Sequence, residues 1–342
     1  IFKAGLVLII GVLRFGAGPQ MAIDVWLAGW MIGPATLAIW WLSSPNVSAW
    51  AKGRITVRGA ELGLNRNKVL APRLGAIGSH ILLMHAVFVV LIPVLWILNV
   101  ALTPGNMLGG DIRPSEWTGE HFSKILDPDS SFWIWLRNSI IVSLGTTVMG
   151  LALAVPAAYA FSRYRFRGRD SAMFAFLLVQ MFPGIIILVP YFLVMKTLGL
   201  LNTSLGLILA YSVTALPLCV WMLKGFFDTV PRELEEAALL DGCNQAQVFQ
   251  KVVLPLSIPA VAVTALFSFL AAWNEYLLAL TFNTSNDMYT LPVGLASLIS
   301  STGQAWGDFA AASLLVSLPV AILFIVFQKF LIQGLSAGGV KG

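Results

Sequence analysis

Few residues in this chain are placed to do chemistry. Glu275, in the run Trp273-Asn274-Glu275-Tyr276, is a carboxylate at the edge of a long apolar stretch. A charge inside a membrane is costly and marks a functional candidate by default. The flanking aromatic rings would suit stacking on a sugar, and Asn274 joins the same candidate group. Glu275 also falls near the outer end of its stretch, so an interfacial role competes with a pathway or gating role. Gln180 is a second polar candidate inside an apolar run. His80 and His85 are five apart and do not share a helical face at i, i+4. They read as satisfied interior histidines rather than a metal pair. His121 reads as a solvated loop residue, Asp308 as a cap for the last helix, and Asp24 as a residue near a membrane edge. Cys219 lies in an apolar run and Cys243 in a loop, with neither disulfide nor metal-ligand spacing. No paired carboxylates, histidine cluster or activated nucleophile stands out. No GxxxxGK[ST] phosphate loop is found either. The expectation is a chain with no catalytic and no metal residues, binding no cofactor of its own.

The most structured signal is polar and lies between two apolar runs, at 228–259: DTVPRELEEAALLDGCNQAQVFQKVVLPLSIP. Pro231 suits a first helical position. Glu233, Glu235 and Glu236 fall in the first turns, where the helix dipole favours negative charge. Leu234, Ala237, Ala238 and Asp241 follow helical spacing, and Gly242 is a natural stop. A second short helix over 244–253 runs to Pro255. A short amphipathic helix with a small-residue face at Ala237 and Ala238 can seat in a partner's groove. The alternative is a connecting loop resting on lipid headgroups, which acidic first turns disfavour because anionic lipid repels them.

The elements that hold this loop follow from composition. Of 342 residues, 58% are hydrophobic and 11% charged, with mean hydropathy +0.84. A water-soluble domain carries about 25% charged residues. The apolar residues cluster in runs of about 20, enough to cross ~30 Å of hydrocarbon as helix, and they show no strand-like alternation. Backbone groups in lipid must be satisfied internally, which also selects helices. Spans are predicted at 21–42, 76–102, 135–161, 172–195, 205–226, 258–282 and 309–332, with a shorter run at 1–13. The chain opens on Ile1 rather than Met, so no leader is assigned.

Lys and Arg orient the spans. Six fall in the 43–75 loop and four, Arg163, Arg165, Arg167 and Arg169, in the 162–171 loop. Both loops are therefore expected on the cytoplasmic side. The 103–134 loop has two basic residues against five acids, and the 283–308 loop has no Lys or Arg. Both are expected outside, and the C-terminus comes out cytoplasmic. The net charge of +5 is thus topology rather than a nucleic-acid surface. Pro156, Pro183, Pro190, Pro217 and Pro319 sit inside spans, either as packing kinks or as hinges lining a pathway.

Glu236-Ala237-Ala238, then Gly242, then nine residues and Val252-Val253-Leu254-Pro255, closely resembles the EAA loop of ABC importer permeases. Val252 replaces the usual Ile. Gln180-Met181-Phe182-Pro183, the stretch Trp306-Gly307-Asp308-Phe309-Ala310-Ala311-Ala312 and the tail from Gly334 to Gly342 are similar to the maltose/maltodextrin type, the MalG class. The match covers roughly 76–342. The resemblance implies an all-α polytopic bundle with a six-span permease core over 76–342, a coupling loop at 228–257 and a tail at 333–342. Residues 1–75 depart from the family as an extension with one or two spans and a basic cytoplasmic loop.

What the resemblance implies for function is a permease subunit of an ATP-driven sugar importer in the bacterial inner membrane. Its partners would be a second homologous permease, two ABC ATPase subunits that hold ATP and magnesium, an extracytoplasmic sugar-binding protein, the sugar and membrane lipid. Glu236, Ala237, Ala238, Asp241, Gly242, Leu254 and Pro255 would couple to the ATPase. Gly338, Gly339 and Lys341 would reach the ATPase interface, glycine backbone being able to thread a narrow cleft. Gln180, Asn274 and Glu275 remain the candidate pathway or gate. A self-sufficient ion-coupled carrier is the alternative. It needs a coupling-ion site near the midplane, for which Glu275 is the one strong buried carboxylate.

Overall fold

A computed structural model describes residues 66–105, 117–299 and 305–339. Among them the ordered elements are helices, with no strand. The readings for the runs 1–13 and 21–42, for Asp24 and for the 43–65 part of the basic loop lie outside the described residues. The chain divides into two units, Ile1–Leu95 and Trp96–Gly342.

Helix α1 (Arg66–Leu102) starts in the first unit, and its part there shows an apolar exterior, with Leu83, Met84, Phe88 and Val90 exposed. His80 and His85 are exposed on this helix too, which corrects the interior placement expected for them. A helix bathed in hydrocarbon turns its apolar residues outward, so lying in an apolar run does not make a residue interior.

The second unit begins with the last turns of α1, where Val100 and Ala101 pack on Ala310 and Ala311. The short helix α2 (Glu120–Ile125) follows. Then come α3 (Phe132–Arg163), α4 (Arg169–Met181), α5 (Gly184–Thr197) and α6 (Ser204–Phe227). The polar segment holds α7 (Arg232–Leu240), α8 (Gln245–Val248), a π-helical turn (Phe249–Val253) and α9 (Leu254–Leu256). The chain continues through α10 (Ile258–Trp273), α11 (Leu277–Phe282), a 3₁₀ turn (Asn286–Met288), α12 (Leu291–Leu298) and α13 (Trp306–Gly339).

Among the described residues, four helices are long and apolar enough to cross a membrane, or six if each bent pair counts as one span. Six is the number expected for the core. The expected span 172–195 is not one helix: α4 and α5 meet at 102°. Pro183 lacks an N–H and disfavours helical backbone at the preceding residue, and Phe182 is extended with ψ 128°. The expected span 258–282 breaks likewise after Trp273, and α11 starts afresh at Leu277. The α13 helix runs past residue 332, where the span was expected to end, to Gly339.

Helices α3 and α6 lie side by side and run the same way. Val142 packs with Leu207, Ala210 and Tyr211. Further along, Ala154, Ala158 and Tyr159 pack with Val220, Leu223 and Phe227. Ala154, Ala158 and Ala210 are fully buried. Between helices in lipid, close approach over small residues supplies the attraction that water supplies elsewhere. Pro156 sits in the middle of this contact and costs α3 one backbone hydrogen bond. Buried packing on both sides of Pro156 braces the helix there. A third cluster joins Trp135, Phe269, Trp273 and Leu291 near the start of α3.

Candidate functional site

The segment between α6 and α10 is anchored to the last turn of α3. Arg163 Nε donates to Glu235 Oε1 at 2.5 Å, and Arg163 Nη2 donates to the Val230 carbonyl at 3.0 Å. Tyr159 Oη donates to the second Glu235 oxygen at 3.0 Å. Glu235 thus carries a buried ion pair and a hydroxyl bond, with Arg163 and Glu235 side chains only 8% and 11% exposed. Such a pair is costly to break from one side, because the remaining charge stays buried. Beside it Ser162 Oγ donates to Asp228 Oδ1 at 2.6 Å and Lys224 Nζ to Asp228 Oδ2 at 2.6 Å. The Tyr159 ring packs on Phe249 and Phe227, with centroids 4.6 and 6.1 Å away. Val248 and Val253 are buried beneath the second half of the segment.

With Glu235 turned in, α7 turns the rest of its surface out. Glu236 and Ala237 are exposed, as are Leu234, Leu239 and Leu240, the last at 89%. Ala238 is half-buried. Pro231 is the cap before the helix rather than its first residue. At the other end Gly242 has φ +86°, a left-handed conformation that glycine alone adopts without strain. Its N–H bonds the Leu239 carbonyl and the Cys243 N–H bonds the Ala238 carbonyl, both at 3.0 Å. That pair of bonds closes the helix and satisfies its last carbonyls. Cys243 is half-buried there, whereas Cys219 is buried.

Asn244 restarts the chain as a reciprocal cap. Its Oδ1 accepts from the Gln247 N–H and its own N–H donates to Gln247 Oε1, each at 2.9 Å. The single helix expected over 244–253 is therefore one short α-turn followed by a π turn, with Leu254 half-buried and Pro255 exposed. Asp241 is the cap of α7 and is exposed.

The other candidates sit apart from this loop. Gln180 is exposed, and its Nε2 donates to the Thr214 carbonyl at 3.2 Å, three residues before the α4–α5 break. Asn274 caps the end of α10 and donates to the Leu270 carbonyl at 2.8 Å. Both Glu275 oxygens accept backbone N–H groups, from Leu278 at 3.0 Å and Ala279 at 3.1 Å. This carboxylate therefore holds the start of α11. Gly338 and Gly339 are the last residues of α13, and Lys341 lies outside the described residues.

Sequence reading missed two features. His121 is buried, not solvated, and bonds Asp308 in the first turn of α13. The second is a set of polar bonds that fixes the 283–291 segment to the start of α3. Trp135 Nε1 donates to Asn286 Oδ1 at 3.0 Å, and Asn138 Nδ2 donates to the carbonyls of Asp287 and Tyr289 at 2.8 and 3.0 Å. Ser139 Oγ accepts the Leu291 N–H at 2.7 Å. A Cβ on Gly294 would meet the Trp135 indole at 2.1 Å, so only glycine lets that ring lie against α12. The signal for this clamp was the amphipathic start of α3, where Trp135, Asn138 and Ser139 share a side.

A family model described as "binding-protein-dependent transport system inner membrane component" matches residues 147–336, more than half of the chain, and spans both the anchored loop and the helices that hold it. The chain belongs to that family. This permease is 41% identical over 232 residues to the inner membrane ABC transporter permease protein YcjP of Escherichia coli K12, covering 68% of this chain and 83% of the relative. It is 36% identical over 288 residues to the maltose/maltodextrin permease protein MalG of Yersinia pestis, with coverages of 79% and 95%. The galactooligosaccharide permease protein GanQ of Bacillus subtilis is 37% identical over 268 residues, with coverages of 77% and 95%. Among solved structures, a bacterial ABC transporter that imports the acidic polysaccharide alginate superposes with a TM-score of 0.63 at 26% identity. That match covers 76% of this chain and 97% of the other. The permease is a multi-pass membrane protein of the ABC importer class, and the ion-coupled carrier reading is set aside.

Proposed function

We propose that this permease forms half of the pathway of an ATP-driven sugar importer for maltodextrin or a related oligosaccharide. The observation that carries the reading is the two-sided α7 helix. Glu235 is held inward by Arg163 and Tyr159, while Glu236, Ala237, Leu239 and Leu240 face out. An acidic, small-residue and leucine surface on a rigidly mounted helix fits a groove on a second protein. On this reading the groove belongs to an ABC ATPase, ATP and magnesium are bound there, and the loop and C-terminus face the cytoplasm. Asp241, Gly242, Leu254 and Pro255 set the loop's shape, and Gly338, Gly339 and Lys341 form a second contact. The sugar class is supported by the relatives that carry sugar transport in their names.

A second permease is the expected neighbour of α4 and α5, which expose Phe182, Ile185, Ile186 and Val189 at 59–66%. Contiguous apolar surface of this kind marks lipid or protein contact. An extracytoplasmic binding protein would deliver the sugar, and the helices would alternate between inward- and outward-open states. Gln180, Asn274 and Glu275, at the two helix breaks, are the proposed pathway or gate residues.

The test is to solubilise the tagged chain in mild detergent from its native membrane and identify what accompanies it by mass spectrometry. An ATPase subunit and a second permease in fixed ratio is the expected result. The chain recovered alone, and moving sugar in liposomes without ATP, would sink the reading.

A further inference from the structure

Helix α3 is bonded to two loops at its opposite ends. Its last turn holds the 228–257 loop through Tyr159 and Arg163 on Glu235, Arg163 on the Val230 carbonyl and Ser162 on Asp228. Its first turns hold the 283–291 loop through Trp135 on Asn286 and Asn138 on two carbonyls. The helix has 32 residues, about 48 Å at 1.5 Å per residue. Helix α6 packs beside it, but the residue that bonds the 283–291 loop on that side is Asn202, which precedes α6 and accepts from Thr284 and Ser285.

We infer that α3 is the transmission element of this permease, with Tyr159 and Arg163 as positioning residues at one end and Trp135 and Asn138 at the other. A displacement imposed on α7 pulls on Glu235 and moves the Arg163 end of α3. The other end carries the 283–291 loop with it, because that loop's turn is bonded to α3 side chains. Neither clamp is a single contact. Glu235 is fixed through both carboxylate oxygens, and Asn138 spans two carbonyls of the opposite loop, so each joint resists rotation as well as separation. Packing against α6 on both sides of Pro156 keeps the helix from flexing there and absorbing the motion. Coupling through a packed element of this kind needs only that the two loops move with it between two states.

The inference rests on the reading that α7 docks an ATPase, and the experiment separates the two. The full complex is reconstituted in liposomes with its binding protein and sugar. Tyr159→Phe removes one hydroxyl from the first clamp, Arg163→Lys loses its fork of donors, and Asn138→Ala removes the two carbonyl bonds of the second clamp. Sugar moved per ATP and binding-protein-stimulated ATPase are measured beside basal ATPase and complex yield. Each variant is expected to lower sugar moved per ATP roughly tenfold, the size set by losing one charge-assisted or double buried hydrogen bond that differs between states. Basal ATPase and yield stay at wild-type level, which a merely structural role would not produce. Tyr159→Phe combined with Asn138→Ala is expected to be no worse than the worse single change, because both interrupt one path in series. Wild-type coupling in Tyr159→Phe and Asn138→Ala, or strictly multiplicative losses in the pair, would overturn the inference while an assembled ATPase leaves the docking reading intact. A wild-type chain that never assembles with an ATPase overturns the docking reading and this inference with it.

Discussion

His121 Nδ1 lies 2.7 Å from Asp308 Oδ1, and both side chains are buried. The other ring nitrogen faces the carbonyls of Thr103 and Gly105, each at 3.1 Å, so Nε2 donates there. Lys124 bonds the second Asp308 oxygen. Three elements, the turn after α1, helix α2 and the start of α13, meet on this one ring. Both ring nitrogens are committed, which leaves neither open to a metal or a substrate.

Gly307 makes that meeting possible. A Cβ there would stand 2.2 Å from His121 Nε2. Gly307→Ala should therefore displace the ring and cost about 1–3 kcal/mol, the usual range for overpacking. Thermal unfolding in detergent would show it as a lower midpoint, similar to that of His121→Ala. A wild-type midpoint for Gly307→Ala would remove the claim of close packing.

Asp228 gives a pH prediction. Burial pushes its carboxyl up, but hydrogen bonds from Lys224 and Ser162, with the charges of Lys224 and Arg163, together outweigh burial and hold it below the usual carboxylate range. A depressed carboxylate stabilises the fold fully above its unfolded value of about 3.9, and the contribution is lost as pH falls through the lower folded value. The side chain is 41% exposed, so the contribution is under about 1 kcal/mol. Asp228→Asn should be slightly less stable than wild type at neutral pH, and the difference should shrink below about pH 4. A gap that widens on acidification would contradict the pairing.

The reciprocal cap at Asn244 and Gln247 should be worth about 1 kcal/mol. Asn244→Ala is expected to raise amide exchange at Ala246–Val248 by severalfold, with little change in α6 or α10. Uniform protection in the variant would mean that packing of Val248, not the cap, fixes this turn.

Glu275 separates two roles by substitution. Glu275→Gln keeps an acceptor for the α11 amides and loses the charge–dipole term, under about 1 kcal/mol. Glu275→Ala loses both and should melt lower. If the carboxylate also meets the sugar, transport by Glu275→Gln should fall far more than its stability does, as read by uptake against melting point. Uptake that simply tracks the melting points of the two variants would confine Glu275 to capping.

Much of the bundle was legible because the signals are local. Apolar runs predicted the spans, and Gly242, the acidic first turn and Asn244 are short-range punctuation that the backbone follows. The break at Phe182-Pro183 was visible as a proline, but its size was not, because a proline within a span can mean a slight kink or a reversal depending on what packs around it. Clamps such as Arg163 to Glu235 and Asn138 to Asp287 join residues 72 and 149 apart in sequence, and no local pattern encodes a partner at that distance. The same holds for His121, whose burial depends on Asp308 arriving 187 residues later. Glu235 shows the limit most clearly. Next to Glu236 in the chain, it reads as one more acidic first-turn residue, yet 100° of helix rotation sends it inward and its neighbour out.

The unequal surroundings of the two thiols give the loop a native reporter. Cys219 is shut inside the bundle, and Cys243 sits half-open immediately beyond Gly242. A water-soluble alkylating reagent should therefore label the unmodified protein at one place, beside the surface that α7 presents. Labelling kinetics followed before and after nucleotide addition would time the approach and departure of whatever covers that surface, with no engineered probe and no cysteine-free background.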